Sequence, residues 1–223
     1  MEDIKVSHAD YPVFRVIPSR YPKIDLYERV ASFEEWELLH EIESLTNPRL
    51  RDEVGDIRLV REEDRVFGEG ASWIMAAFTH PPADGRGGRF NRDFGIYYCS
   101  PEEKVCVGET LYHQERFLRE SRVEKEVVQM RLLAAKLGPV HLHDIRHLTD
   151  RPGAKMVYHP ADYSYGQRLG EMLKAQSSYG LRYRSVRAEP GECVAVMRPS
   201  ALSEARHVRY LQYNYLGGAI NLA

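Results

Sequence analysis

The chain has 223 residues, 43% of them hydrophobic, with 31 Lys and Arg against 33 Asp and Glu and a formal net charge of −2. That length carries a sizeable core but does not decide between one domain and two. Balanced charge excludes the basic excess of a dedicated nucleic-acid binder and the strongly charged, apolar-poor composition of a disordered chain.

In chain order, Met1-Glu2-Asp3-Ile4-Lys5 lacks the basic start and apolar centre of a secretory leader. Val13 to Ile17 reads as a short strand. Ser32 to Leu45 reads as a helix, because Ser32 and Glu35 form a capping box and Trp36, Leu39 and Ile42 recur at helical spacing as an expected buried stripe. Asn47-Pro48 ends it. Ser72 to Phe78 is ambiguous between helix and strand. His80 to Gly88, reading HPPADGRGG, is a loop inside one domain rather than a boundary between two. Phe94 to Cys99 is a strand. Ser100 as N-cap and Pro101 at the first helical position open a helix running to about Arg119.

Strands are expected at Val127 to Ala134, Val140 to Ile145, Tyr183 to Arg187, Cys193 to Met197 and His207 to Tyr215, the last followed by a Gly-Gly tail. Tyr165, Leu169 and Leu173 mark a helix over Asp162 to Gln176. Strands dominate the second half without regular alternation with helices, which points to an α+β or mixed α/β domain rather than a doubly wound sheet. No apolar run approaches the roughly 18 residues of a membrane span. Cys99, Cys106 and Cys193 are an odd set without zinc-ligand spacing, so neither a disulfide framework nor a metal site is expected, and the cytoplasm is the expected location.

Candidate chemistry is densest from Gly87 to His113. Gly87-Gly88 lets a ligand approach the backbone, and the Arg89 guanidinium beside it suits a phosphate or pyrophosphate, although a solvated turn arginine has the same pattern. Tyr97 and Tyr98 face opposite sides of a strand, one toward the core and one free to stack on a flat ligand. Glu109 and His113 share a helix face away from Val107, Leu111 and Leu118. If a cleft lies there, the carboxylate can stabilise an oxocarbenium-like ribosyl cation and the imidazole can orient it or move a proton; otherwise the two are a solvated pair. Ser185 lies outside any G-x-S-x-G elbow and reads as a positioning hydroxyl or an ordinary strand serine. Cys106 shares the Glu109 helix but has no mark of a nucleophile. His141 and His143 share a strand face without a distant ligand to complete a metal site. Arg182, Arg184 and Arg187 form a local basic patch suited to phosphate or to solvent. Walker and dinucleotide-binding glycine motifs do not occur.

Four stretches together resemble the RES domain family, named for an arginine, a glutamate and a serine: PVFRVI; GGRFN; GIYYCSPEEKVCVGETLYH, with its tyrosine eleven positions ahead of Glu-x-x-x-His; and LRYRSVRAEPGECVAVMRPSAL. Position by position the resemblance carries over Arg89, Tyr98, Glu109, His113 and Ser185, with Arg15 as a second arginine. Phe90 stands where the family has tryptophan, and about residues 21–70 are an insertion that compact members lack. The resemblance implies a single domain over 1–223 with an ADP-ribosyltransferase-like split mixed or antiparallel sheet and flanking helices. It implies NAD as substrate and no metal. Arg89, with Arg15, would hold the pyrophosphate, Tyr98 would stack on nicotinamide, Glu109 would face the ribosyl cation, Ser185 would orient ribose or nicotinamide, and His113 would assist. It further implies a toxin that depletes NAD by hydrolysis or phosphorolysis. ADP-ribosyl transfer to a protein and a non-enzymatic binding module are the alternatives. The expected partner is a helix-turn-helix antitoxin, with homodimerisation open and no direct nucleic-acid or membrane contact.

Overall fold

A computed structural model describes residues 4–45, 50–82, 87–148 and 152–223. The leader reading at Met1 to Asp3, the Asn47-Pro48 helix stop and positions 83–86 of the expected loop lie outside them. In chain order the elements are β1 (Lys5–Pro18), α1 (Asp25–Glu28), α2 (Phe33–Ser44), α3 (Leu50–Val54), α4 (Ala71–Thr79), β2 (Tyr97–Cys99), α5 (Glu103–Glu120), β3 (Lys125–Asp144), α6 (Pro152–Val157), α7 (Ser164–Ala175), β4 (Gly180–Arg184), β5 (Glu192–Val196), β6 (Leu202–Leu216) and β7 (Ala219–Leu222).

All seven strands join one mixed sheet around the 20-residue β3. β1 runs antiparallel along one edge of β3, from Met130 to Asp144. The other edge is shared in series: β6 pairs antiparallel along Lys125 to Leu137, then β4 pairs parallel at His143 and Asp144. The sheet therefore splits where β3 changes partner. β5 and β2 extend the β4 arm by antiparallel pairing, and Ser100, just past β2, bridges back to Phe14 of β1. The α+β class matches what the residue pattern led us to expect, and the split mixed sheet with flanking helices matches what the family resemblance implied.

The two strands expected at Val127 to Ala134 and Val140 to Ile145 are one. Gly138-Pro139 does not end β3, because Gly138 (φ +98°) sits where β1 comes too close for a side chain; a Cβ there would lie 2.0 Å from the Ala9 carbonyl oxygen. Helix wins at Ser72 to Phe78, where Ile74, Met75 and Phe78 all face the core. Of the strand expected at Phe94 to Cys99 only Tyr97–Cys99 forms, Phe94 lying in a bend. The helix after Ser100 starts at Glu103, since the Ser100 hydroxyl accepts from the Glu102 N–H (3.0 Å) and donates to the Glu192 carbonyl (2.7 Å), fixing a turn first. Gly217-Gly218 turns the chain into β7 rather than leaving a tail.

The described residues of segment 21–70 form α1, α2 and α3 with irregular connections, and Tyr27, Trp36 and Val54 among them pack into the main core. Ser32 caps α2 by accepting from Glu35 N–H, and Glu35 in turn accepts from Ala31 N–H (2.8 Å). Trp36 is buried and stacks on Tyr27, Phe33 and His40, while Leu39 is only partly buried and Ile42 is exposed, so the expected three-residue stripe shrinks to one anchor. Likewise Leu169 and Leu173 bury in α7 but Tyr165 is exposed. The segment is also tied down at Asp64, whose buried carboxylate accepts from Arg198 Nε (2.8 Å) and Ser200 Oγ (2.5 Å).

Candidate active site

Three of the singled-out side chains, Glu109, Ser185 and His113, meet between α5 and the turn after β4. Glu109 projects from the middle of α5 toward the turn after β4, where Ser185 donates to Glu109 Oε1 at 2.5 Å. Ser185 lies beyond the end of β4 rather than within a strand, and it is buried. Its oxygen also accepts from the N–H groups of Ala188 (2.8 Å) and Arg187 (3.2 Å). One hydroxyl has one proton and two lone pairs, so Ser185 is saturated: its geometry serves the Glu109 carboxylate and leaves no hydrogen-bonding capacity for a ligand.

His113 follows one turn later on α5, its Nε2 3.9 Å from Glu109 Oε2, too far for a hydrogen bond. Its side chain is half exposed. Partial desolvation lowers its pKa below the usual imidazole value, Glu109 pulls the other way, and Arg187 and Arg89 add to the lowering, which favours the neutral form. Cys193 Sγ stands 3.9 Å from Glu109 Oε1, and burial raises its thiol pKa. Cys106 donates to the Phe14 carbonyl (2.8 Å), and burial pushes its pKa up to about 12, so neither thiol is an ionised nucleophile.

Arg89 is buried. Its Nη1 donates to the carbonyls of Val157 and His159 (both 2.9 Å), its Cζ lies 4.7 Å from the Tyr163 ring centroid, and Nε and Nη2 make no hydrogen bond among the described residues. The backbone at Arg89 is set by α7. Gly166 and Gly170 lie against it so closely that a Cβ would fall 2.3 Å from the Arg89 carbonyl oxygen and 1.7 Å from that of Phe90. Those two glycines, four apart on one helix face, let the helix backbone sit directly on the loop.

Tyr98 supports the same loop from the sheet. Its hydroxyl donates to Asn91 Oδ1 (2.8 Å) and accepts from Phe90 N–H (2.9 Å), while Asn91 also accepts from Gly88 N–H (2.9 Å). Gly88 is needed there, since a Cβ would come within 2.7 Å of the Tyr98 oxygen. Tyr97 is fully buried in the main core and Tyr98 is partly buried against a second cluster, so the pair faces opposite sides as the alternation predicts. Arg15, on β1, lays its guanidinium 4.4 Å from the Tyr97 ring centroid. Its Nη1 is buried without a hydrogen-bond partner among the described residues, and desolvation lowers its pKa. Glu109, Ser185 and His113 thus form one group, and Arg89 and Tyr98 a second around the Gly88–Asn91 loop. The Arg89 charge bears on both Tyr98 and His113, and Arg15 lies against Tyr97.

The expected basic patch divides. Arg182 is bidentate on Glu192, which also pairs with Arg146; Arg184 donates to the Arg146 carbonyl; and Arg187 stacks 3.6 Å over Tyr112 while donating to the Pro160 carbonyl. Only Arg187 adjoins the Glu109 face. His143 bonds Ser178 Oγ (2.9 Å) and His141 packs edge-on against His8. Asn91, Tyr163 and the Gly166/Gly170 pair were not singled out from sequence. The G-x-x-x-G spacing inside an otherwise amphipathic helix is the signal that marks a close backbone contact.

The RES domain family model matches residues 62–215, more than half of the chain. That span holds both groups, and Arg15 lies ahead of it. The uncharacterized protein y4oC of Sinorhizobium fredii (strain NBRC 101917 / NGR234) is 25% identical over 224 residues, spanning 100% of this chain and 89% of its own. The crystal structure of the M. tuberculosis MbcT-MbcA toxin-antitoxin complex aligns with a TM-score of 0.46 at 13% identity, over 91% of this chain and 86% of that one.

Proposed function

The chain belongs to the RES domain family, and on that premise we propose that it cleaves the nicotinamide–ribose bond of NAD, with water or phosphate as acceptor, and acts as a toxin that depletes NAD. The observation that carries the reading is the Glu109 carboxylate, fixed by Ser185 at 2.5 Å and flanked by His113 one helical turn away. A carboxylate immobilised before the reaction favours the positive charge that develops at the ribose as the C–N bond breaks.

In this mechanism the Nε and Nη2 donors of Arg89 bind the pyrophosphate, with Arg15 adding positive charge behind the tyrosines. The partly buried Tyr98 ring supplies the flat surface for nicotinamide. Bond cleavage sends the electron pair out with neutral nicotinamide and leaves a cation at the ribose carbon beside Glu109. The acceptor oxygen attacks that carbon, and His113, unprotonated, takes the proton when water is the acceptor. Ser185 acts through Glu109 and is a positioning residue.

ADP-ribosyl transfer to a protein would use the same groups. Incubating the purified protein with NAD, with and without phosphate, and identifying the products separates the readings. Nicotinamide with free ADP-ribose, or with its 1-phosphate, supports the proposal, whereas labelled protein without either moves the assignment to a transferase. Intact NAD throughout contradicts both. A helix-turn-helix antitoxin and a cytoplasmic location belong to the same proposal.

A further inference from the structure

The helix α2, in the segment ahead of the span matched by the family model, is built the wrong way out for a helix with no other partner. Leu38, Ile42 and Leu45 fall at i, i+4 and i+7, so they form one stripe, and they are 61%, 54% and 82% exposed. Trp36 buries on the opposite side. Phe33 to Ser44 contains five glutamates and no lysine or arginine. The Glu37 and Glu41 carboxylates, beside the stripe, have no hydrogen bond or ion pair among the described residues. Glu41 also sits near the C-terminal turn, where the helix dipole already disfavours negative charge, while Glu43 there is paired with Arg29 at 2.5 Å.

We propose that this face docks a cationic amphipathic helix of a partner protein. The apolar stripe has the spacing by which helices lie in register against an apolar face. Charge then chooses among the things that could cover it. A second copy would set glutamates against glutamates, and an anionic membrane surface would be repelled. A helix with apolar residues at the same spacing and flanking Lys or Arg meets the stripe and compensates Glu34, Glu37 and Glu41 together. The contact is one helix face wide, so the complex is a weak, salt-sensitive one. It stands independently of the reaction proposed above.

The test uses the full chain and a labelled synthetic helical peptide of about 20 residues, leucines at i, i+4 and i+7 and lysines flanking them, with a glutamate-flanked counterpart. The lysine peptide should bind at least about tenfold more tightly than the glutamate peptide, by about 1.4 kcal/mol. Binding should fall by a similar factor in Glu37→Gln/Glu41→Gln and in Leu38→Ser/Ile42→Ser/Leu45→Ser, whose thermal melting, the positions being exposed, should stay close to wild type. Equal binding of the two peptides, or undiminished binding to the triple variant, overturns the proposal. So does sedimentation showing self-association that the triple variant loses, because the occupant is then a second copy. Binding to anionic vesicles in preference to the peptide overturns it in favour of a membrane.

Discussion

Ser185 and Glu109 are 76 residues apart in sequence and 2.5 Å apart at the hydroxyl–carboxylate contact, one in the turn after β4 and the other on α5. The serine also satisfies the N–H groups of Arg187 and Ala188, so it orders the turn and the carboxylate at once. Ser185→Ala removes one proton donor and leaves two N–H groups without an acceptor. It should cost about 1–3 kcal/mol in urea unfolding and about a hundredfold in NAD turnover. Unchanged turnover would show that Glu109 does not depend on this contact.

The close seat of α7 on the Arg89–Phe90 backbone gives a second expectation. Gly170→Ala places a methyl group where only 1.7 Å separates it from the Phe90 carbonyl oxygen, and backbone cannot yield as a flexible side chain does. Helix propensity alone would favour alanine by up to about 1 kcal/mol. Steric displacement should win, lowering stability by about 1–3 kcal/mol and weakening NAD binding through the shifted Arg89. A variant more stable than wild type would show that the loop moves freely away from the helix.

Arg198 and Asp64 pair with little exposure, at 19% and 4% of their side chains, and join the segment ahead of α4 to the strand-rich half. Arg198→Met leaves the Asp64 carboxylate buried with Ser200 as its remaining side-chain partner. The expected loss is about 3–5 kcal/mol, read as a shift in the denaturation midpoint. Arg198→Met/Asp64→Leu should recover much of it, since the double change removes the stranded charge.

His113 makes stability pH-dependent with a definite sign. Its folded pKa lies below the unfolded value, chiefly through desolvation, and because the side chain is half exposed the effect is small. The unfolded chain therefore binds the proton first as pH falls. This contribution is fully present above the unfolded pKa, about 6.5, declines as pH drops below it, and levels off below the folded pKa. Unfolding free energies of wild type and His113→Gln, compared between about pH 5 and about pH 8, should differ more in slope than in their values at the upper limit. Parallel profiles would place the imidazole in an environment like water.

Much of the fold was legible in residues because local rules and tertiary packing agree there. The Ser32–Glu35 cap and the alternation of Tyr97 and Tyr98 are examples. Ile42 and Tyr165 show the opposite case: helical spacing identifies a stripe but not whether anything covers it. β3 was read as two strands, Val127 to Ala134 and Val140 to Ile145; Gly138-Pro139, between them, are residues that break strands locally, whereas here the close approach of β1 requires the glycine. The linking of Arg89, Glu109 and Ser185 came from the family pattern and not from spacing. Ser185 looked like a ligand contact because its three partners, distributed over α5 and the turn, have no signature in the sequence. Asn91 and the Gly166/Gly170 pair escaped for the same reason, since each acts on a backbone distant along the chain.

The most direct measurement compares Glu109→Gln with wild type in two readouts, NAD binding by calorimetry and nicotinamide release. Glutamine keeps the shape and removes the charge, so the variant should still bind NAD within several-fold of wild type while release falls by about a hundredfold or more. Near-normal release by a folded Glu109→Gln protein would contradict the assignment of Glu109 as the group that stabilises the ribosyl cation.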